Sequence, residues 1–181
     1  MTIRYSIDEN DFLIHQLYTA SKSKRIKNKR LRSQFVVPII YILFGLYGYM
    51  TDRPVLMAIF IAFAVLWLLL YPFWERKRYV NHYKNFIKEN YKNRFDKIGT
   101  ITFSDEFIIT KEEENESKIS TKEIEKITEL KPLVLVKLKD GQSLILSKDK
   151  IGEIDKLIDN LKELAIKLRI DYNIEENWEW R

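Results

Sequence analysis

Two apolar runs, FVVPIIYILFGLYGYM over residues 35–50 and VLMAIFIAFAVLWLLLYPFW over 55–74, contain no Asp, Glu, Lys, Arg or His, and only Thr51, Asp52, Arg53 and Pro54 separate them. At a helix rise of ~1.5 Å per residue the second run is about 30 Å long, one hydrocarbon thickness, and the first about 24 Å. Snorkelling by Arg32, contributions from Ser33 and Gln34, or local bilayer thinning can absorb that shortfall. A helical hairpin buried in a soluble protein normally keeps a polar stripe towards water, and neither run has one. The pattern predicts a two-helix transmembrane hairpin in which each backbone polar group bonds within its own helix, as hydrocarbon demands. Thr51 and Asp52 are cap-type residues ahead of Pro54, which suits a first helical turn, so 51–54 is expected to form a tight turn.

Charge around this block sets the expected orientation. Residues 1–99 carry 17 Lys and Arg against 7 Asp and Glu, whereas residues 100–181 carry 14 against 19. Lys22, Lys24, Arg25, Lys27, Lys29, Arg30 and Arg32 precede the first run; Arg76, Lys77, Arg78, Lys84, Lys88, Lys92 and Arg94 follow the second; Arg53 alone lies between them. Cationic loops resist translocation, so both termini are expected in the cytoplasm, with 51–54 outside the cell membrane. The cations nearest the block, from Lys22 to Arg32 and from Arg76 to Arg78, are also candidate contacts for anionic lipid. Basic charge concentrated beside an apolar block is explained by membrane, and nucleic acid is not an expected partner. The apolar block starts only at Phe35, behind a mixed polar segment, so a cleavable signal peptide is not expected.

Within the runs, Trp67, Tyr71 and Trp74 at one end and Tyr47 and Tyr49 at the other fit interfacial aromatic belts. Gly45, Gly48 and the pair Ala58 and Ala62 supply small-residue faces. These serve either to pack the hairpin on itself or to join it to a second copy of the chain. An ion or proton pathway through one copy is not expected, because neither run holds an ionisable residue.

The flanks carry the rest of the fold. In 1–34, Ile3, Tyr5 and Ile7 alternate with polar residues as in a half-buried strand, and Ser6 to Glu9 has capping-box form. A helix is expected from about Asp8 through SKSKRIKNKRLR towards the membrane. Residues 75–95 are expected to form a juxtamembrane basic helix with Tyr79, Tyr83, Phe86, Ile87 and Tyr91 on one face. From residue 96 to 170 the period shortens. IGTITF, FIIT, KIS, LVLVKL and QSLILS read as antiparallel strands, the last two joined at Asp140-Gly141, a hairpin signal because such turns need positive φ. EIEKITEL over 123–130 is ambiguous between strand and helical turn. Ile154, Leu157, Ile158, Leu161, Leu164 and Leu168 line one face of a helix that should lie on the sheet, with Ile3 to Ile7 as an additional strand. Residues 171–181 are expected to be a tail, with Trp178 and Trp180 frayed, dipping into the interface or binding a partner. The fold class is thus an α+β membrane protein: a transmembrane hairpin plus a small cytoplasmic antiparallel sheet capped by an amphipathic helix.

IRYSIDENDFLIHQLY, the basic run, the hairpin, IGTITFSDEFIIT and ITELKPLVLVKLKDGQSLILSKDKI together make the chain resemble the YcxB-like family of bacterial membrane proteins. The resemblance implies a carboxy-terminal domain similar to pleckstrin-homology folds and implies no particular activity. Lipid-phosphate sites of such folds draw on basic residues around the first hairpin, where this chain has Ser104-Asp105-Glu106, followed by KEEENES; an acidic rim repels phosphate.

No catalytic, cofactor-binding or metal constellation stands out, and no cofactor is expected. Cysteine is absent, which removes thiol chemistry and Cys-based zinc. His15 and His82 lack the carboxylate or histidine spacing of common metal sites, and the chain has no GxSxG elbow or Gly-rich phosphate loop. The functional expectation is a membrane-anchored cytoplasmic interaction or regulatory module without catalytic activity, its partners being the bilayer and a protein bound by the domain. The alternatives are a membrane-surface lipid-binding or assembly protein and a membrane enzyme.

Overall fold

The computed structural model describes residues 1–91, 95, 97–112 and 115–181. Lys92 and Arg94 of the cationic flank, the expected domain start at Asp96, and Glu113 and Glu114 of the acidic turn lie outside the described residues. Two compact units divide the chain: Met1–His15 with Phe86–Glu179, and Gln16–Asn85 with Trp180–Arg181.

Three helices run from the amino-terminal segment through the apolar block: α1 (Glu9–Lys22), α2 (Lys24–Met50) and α3 (Pro54–Asn90). The helix expected to run unbroken from Asp8 is interrupted at Ser23, whose extended backbone (φ −76°, ψ 115°) begins a new helix and whose hydroxyl accepts from Ile26 N. From Lys24 the basic segment then passes into the apolar one without a break. The segment after the second run likewise continues α3 as far as Asn90, because WERKRYVNHYKN contains neither Gly nor Pro to end it. Asp8, rather than Ser6, opens α1: Asp8 Oδ1 accepts from Asp11 N at 2.8 Å and Asp11 Oδ2 accepts from Asp8 N at 3.1 Å. This is a capping box two residues beyond the expected one.

Between the long helices, Thr51 closes α2 instead of opening α3. Its hydroxyl donates to Tyr47 O at 3.0 Å and its N–H to the same carbonyl at 3.1 Å. Asp52 takes the left-handed conformation (φ 52°), which short polar side chains tolerate. Along α2 the inward positions are Pro38, Tyr41, Gly45 and Gly48, and along α3 Met57, Phe60, Ala64, Trp67 and Tyr71, at alternating steps of three and four. That spacing is a coiled-coil seam. A Cβ on Gly48 would lie 3.0 Å from Met57 N, so glycine permits the close approach. Tyr41 and Phe44 meet Phe60 with ring centroids 6.2 and 5.3 Å apart. Ala58 and Ala62 face away from this seam and are exposed. Leu43, Leu69 and Phe73 are also directed outward, at 61%, 62% and 75% exposure.

The other unit holds two four-stranded sheets among the described residues. One has the order β1 (Thr2–Tyr5), β2 (Gly99–Phe103), β3 (Phe107–Glu112), β4 (Asn115–Ser120), all antiparallel. The second has the order β7 (Ser143–Ser147), β6 (Leu133–Leu138), β5 (Ile124–Glu129), β8 (Asp171–Ile174). The ambiguous 123–130 segment is mainly strand β5. Residues 171–174, expected to be tail, add β8 parallel to β5. β1 pairs with β2 in the register Thr2↔Thr102 to Tyr5↔Gly99, so the expected docking of the amino-terminal strand is present. Gly99 makes room for it: a Cβ there would lie 2.7 Å from the Tyr5 ring. The β6–β7 turn carries Gly141 at φ 91°, as Asp140-Gly141 indicates. Ile3, Ile101 and Ile108 of one sheet, Ile127, Val134 and Leu146 of the other, and Leu157 and Leu161 of α4 (Ile154–Leu168) form one apolar core.

Candidate functional site

The ten cations singled out in the sequence divide by environment. Lys22 ends α1; Lys24, Arg25, Lys27, Lys29 and Arg32 occupy the first turns of α2; Arg76, Lys77 and Arg78 follow the second apolar run on α3; all nine are exposed. Lys22 lies over the Tyr18 ring at 5.1 Å, and Arg78 over the Trp74 ring at 4.8 Å. Arg30 differs. Its Nε donates to Glu75 Oε2 at 3.0 Å, Nη2 donates to Arg181 O at 2.8 Å, and the guanidinium stacks on Trp180 at 4.8 Å. Glu75 is 3% exposed and also accepts from the Tyr71 hydroxyl at 3.2 Å. Removing both charges from water is costly, and these additional hydrogen bonds offset part of that cost.

Trp180 completes the cluster. It is 5% exposed, donates Nε1–H to Arg76 O at 3.4 Å and meets Tyr79 with ring centroids 5.6 Å apart. The expected frayed ending is therefore packed on the helical unit. Sequence reasoning passed over Glu75, though one signal was available: it is the sole acid between Tyr71 and Lys88, set directly before three cations. For Trp180 the partner Arg30 is 150 residues away, and nothing local announces it.

In the sheet unit, buried carboxylates are held in two hydrogen-bonded clusters, neither visible in the sequence pattern. Lys150 Nζ reaches Asp8 Oδ2 at 2.5 Å and Asp11 Oδ2 at 2.7 Å, while the Ser147 hydroxyl bridges Asp11 (3.0 Å) and Asp149 (2.6 Å). Burial alone would raise the Asp8 carboxyl, but the Lys150 ammonium and the Asp11 backbone N–H outweigh it and hold Asp8 below the usual carboxylate range. Burial would lower Lys150, and the two carboxylates raise it instead. Second, Glu129 accepts from Lys148 at 2.7 Å and from the Tyr172 hydroxyl at 2.8 Å. Against the upward pull of burial, these bonds lower Glu129, while burial and the carboxylate raise Tyr172. Both clusters tie sequence-distant segments together: the first joins the amino-terminal segment to the end of β7, the second β8 to β5.

His15 packs on Phe12 with centroids 5.9 Å apart, and burial pushes it down to about 4, so it is neutral at pH 7. His82 is exposed on α3 beside Tyr83. Among the described residues no group of three His, Cys, Asp or Glu is arranged to hold a metal ion. The acidic turn between β2 and β3 is a solvated surface in which Asp105 pairs with Lys167 at 2.6 Å.

The segment from the end of β2 through β7 into the middle of α4 is a run of antiparallel strands followed by an amphipathic helix. Residues 103–161 match the YcxB-like protein family. No curated protein matches the chain, and neither does any solved structure. The YcxB-like stretch covers about a third of the 181 residues. It includes Lys148, Lys150, strands β3 to β7 and the first half of α4, and it leaves out β1, all of β2 but Phe103, the long helices, β8 and Trp180.

Proposed function

We propose that the chain is a membrane-anchored recognition module without catalytic activity, in which the α2–α3 hairpin spans the cell membrane and the sheet domain works in the cytoplasm. The observation that carries this reading is the pairing of β1 with β2 across the hairpin. Strands on the two sides of the apolar block can share a register only if both ends of that block emerge on one side of the membrane, which requires an even number of crossings. The outward apolar surface of α2 and α3 supports insertion: both helices are long and apolar enough to span. The cationic flanks, set against the lone Arg53 in the turn, support the cytoplasmic side.

For the domain, the order of two antiparallel meanders followed by a helix supports a pleckstrin-homology-like scaffold used for protein recognition. Asp105, Glu106, Glu112 and Glu116 give its first hairpins an acidic character suited to a basic partner rather than to phosphoinositide or nucleic acid. The β4 edge, largely exposed, offers unpaired backbone groups for strand addition.

The cysteine-free sequence makes the test direct. With Asp52→Cys and Asp140→Cys introduced singly, a membrane-impermeant maleimide on intact cells should label position 52 alone, and position 140 only after lysis. Labelling of 140 on intact cells would overturn the orientation. Recognition is tested by placing a photocrosslinking amino acid at Lys118 in β4 and, as control, at Met50; no adduct specific to position 118 would remove the recognition half of the proposal.

A further inference from the structure

The geometry points to a binding site for one anionic phospholipid on the hairpin, an acyl chain lying in an aromatic cleft and the phosphate held by Arg78. The inference rests on the membrane-spanning reading above. A cleft of about 460 Å³ lies between Tyr41 of α2 and Phe63, Trp67, Leu70 and Trp74 of α3. That size falls within the roughly 300–1,000 Å³ typical of small-molecule sites. Its walls are almost wholly apolar, so it suits hydrocarbon, although Trp67, whose Nε1–H is buried without a hydrogen-bond partner, is among the lining residues. On a helix face already directed at lipid, the occupant with that chemistry is an acyl chain.

The cation at the cleft end specifies the headgroup. Arg78 stands one turn beyond Trp74, about 6 Å further along the axis towards the basic flank. Its guanidinium is seated on the Trp74 ring at 4.8 Å and near Tyr79 at 5.9 Å. The ring face attracts the cation and limits its rotamers, so less freedom is lost when it meets an anion. Arg30 shows the contrast: its charge is already satisfied by Glu75 at 3.0 Å. Among the described residues no carboxylate forms an ion pair with Arg78, and it is exposed. A fork-shaped donor without an acid partner, anchored on the aromatic wall of an acyl-sized cleft, fits a phosphodiester bidentately. Lys77 beside it adds to the positive potential that favours a net negative lipid over a zwitterionic one.

The test uses the full chain in phosphatidylcholine vesicles containing a small, fixed mole fraction of either dibrominated phosphatidylglycerol or dibrominated phosphatidylcholine, because bromine quenches tryptophan on contact. Quenching should favour the phosphatidylglycerol by about fivefold in relative affinity, the factor corresponding to one cation near the surface. Arg78→Gln should bring the ratio close to one, whereas Lys84→Gln, an equal loss of charge about 9 Å further along α3 and outside the ten candidate lipid contacts, should leave it unchanged. Equal quenching by the two lipids, or a preference that survives Arg78→Gln, overturns the site while leaving the hairpin in the bilayer. Absence of quenching by either lipid overturns the membrane reading itself.

Discussion

In the sheet unit Leu157 and Val134 have no exposed surface, and charges lie at the rim or in hydrogen-bonded clusters. Along α2 and α3, Leu43 and Leu69 are more than 60% exposed while two glycines, a proline and the carboxylate of Glu75 lie inside. The two units are built from the same side chains in opposite placement, which is what water requires of the first and, for a hairpin inserted as proposed, hydrocarbon requires of the second. Burial in the first is driven by transfer of apolar surface out of water. Helices in hydrocarbon gain nothing from that transfer, so close contact through small residues and a few polar bonds must hold them together.

Placing a charge in each unit gives the sharpest separation. Val134→Asp, at a fully buried core position, is expected to cost more than about 4 kcal/mol and leave the sheet unit unfolded in a urea titration. Val65→Arg changes a residue that is already exposed; on a water-facing surface it would move stability by no more than about 0.5 kcal/mol. In the middle of a span it should instead cost about 3 kcal/mol of insertion, read as loss of the inserted fraction in microsomal membranes. Normal insertion of Val65→Arg would break the comparison.

Acidification probes the sheet unit. His15 falls from 6.5 to about 4 on folding, so the unfolded chain takes up a proton before the folded one does. Stability should therefore decline as pH drops below about 6.5, by roughly 2 kcal/mol between pH 7 and 5, and His15→Gln should flatten that slope. Asp8 and Glu129, lowered in the fold, keep their contribution above the ordinary carboxylate range and lose it at still lower pH. Lys150, raised, contributes below about 10.5 and loses that contribution only in strong alkali. The smallest expected effect belongs to the exposed pair of Lys137 and Glu125: Lys137→Met should shift the urea midpoint by an amount equivalent to no more than about 0.5 kcal/mol.

What the sequence disclosed follows from range. The apolar runs, the α4 stripe and the Asp140-Gly141 turn each encode their structure in neighbouring residues, and all three stand in the fold. The limits of α2 and α3 were harder, because hydropathy marks where the apolar side chains stop, whereas the helix continues wherever nothing interrupts it. Residues 171–181 were misread for a different reason. Asp-Tyr-Asn-Ile becomes a strand because β5 offers it an edge, and Trp180 is buried because Arg30, Arg76 and Tyr79 receive it. The cluster of Asp8, Asp11 and Lys150 was hidden likewise, its members being about 140 residues apart.

The register between β1 and β2 also has a biosynthetic consequence. Thr2 to Tyr5 leave the ribosome before the hairpin but have no partner until Gly99 to Phe103 follow it, so for a chain inserted as proposed the hairpin is committed to the bilayer before the first sheet can close. A chain that inserted one helix and not the other would hold these strands on opposite faces of the membrane and could never pair them. On the proposed insertion, completion of the sheet would act as a proofreading step: a misthreaded copy would keep these strands unpaired.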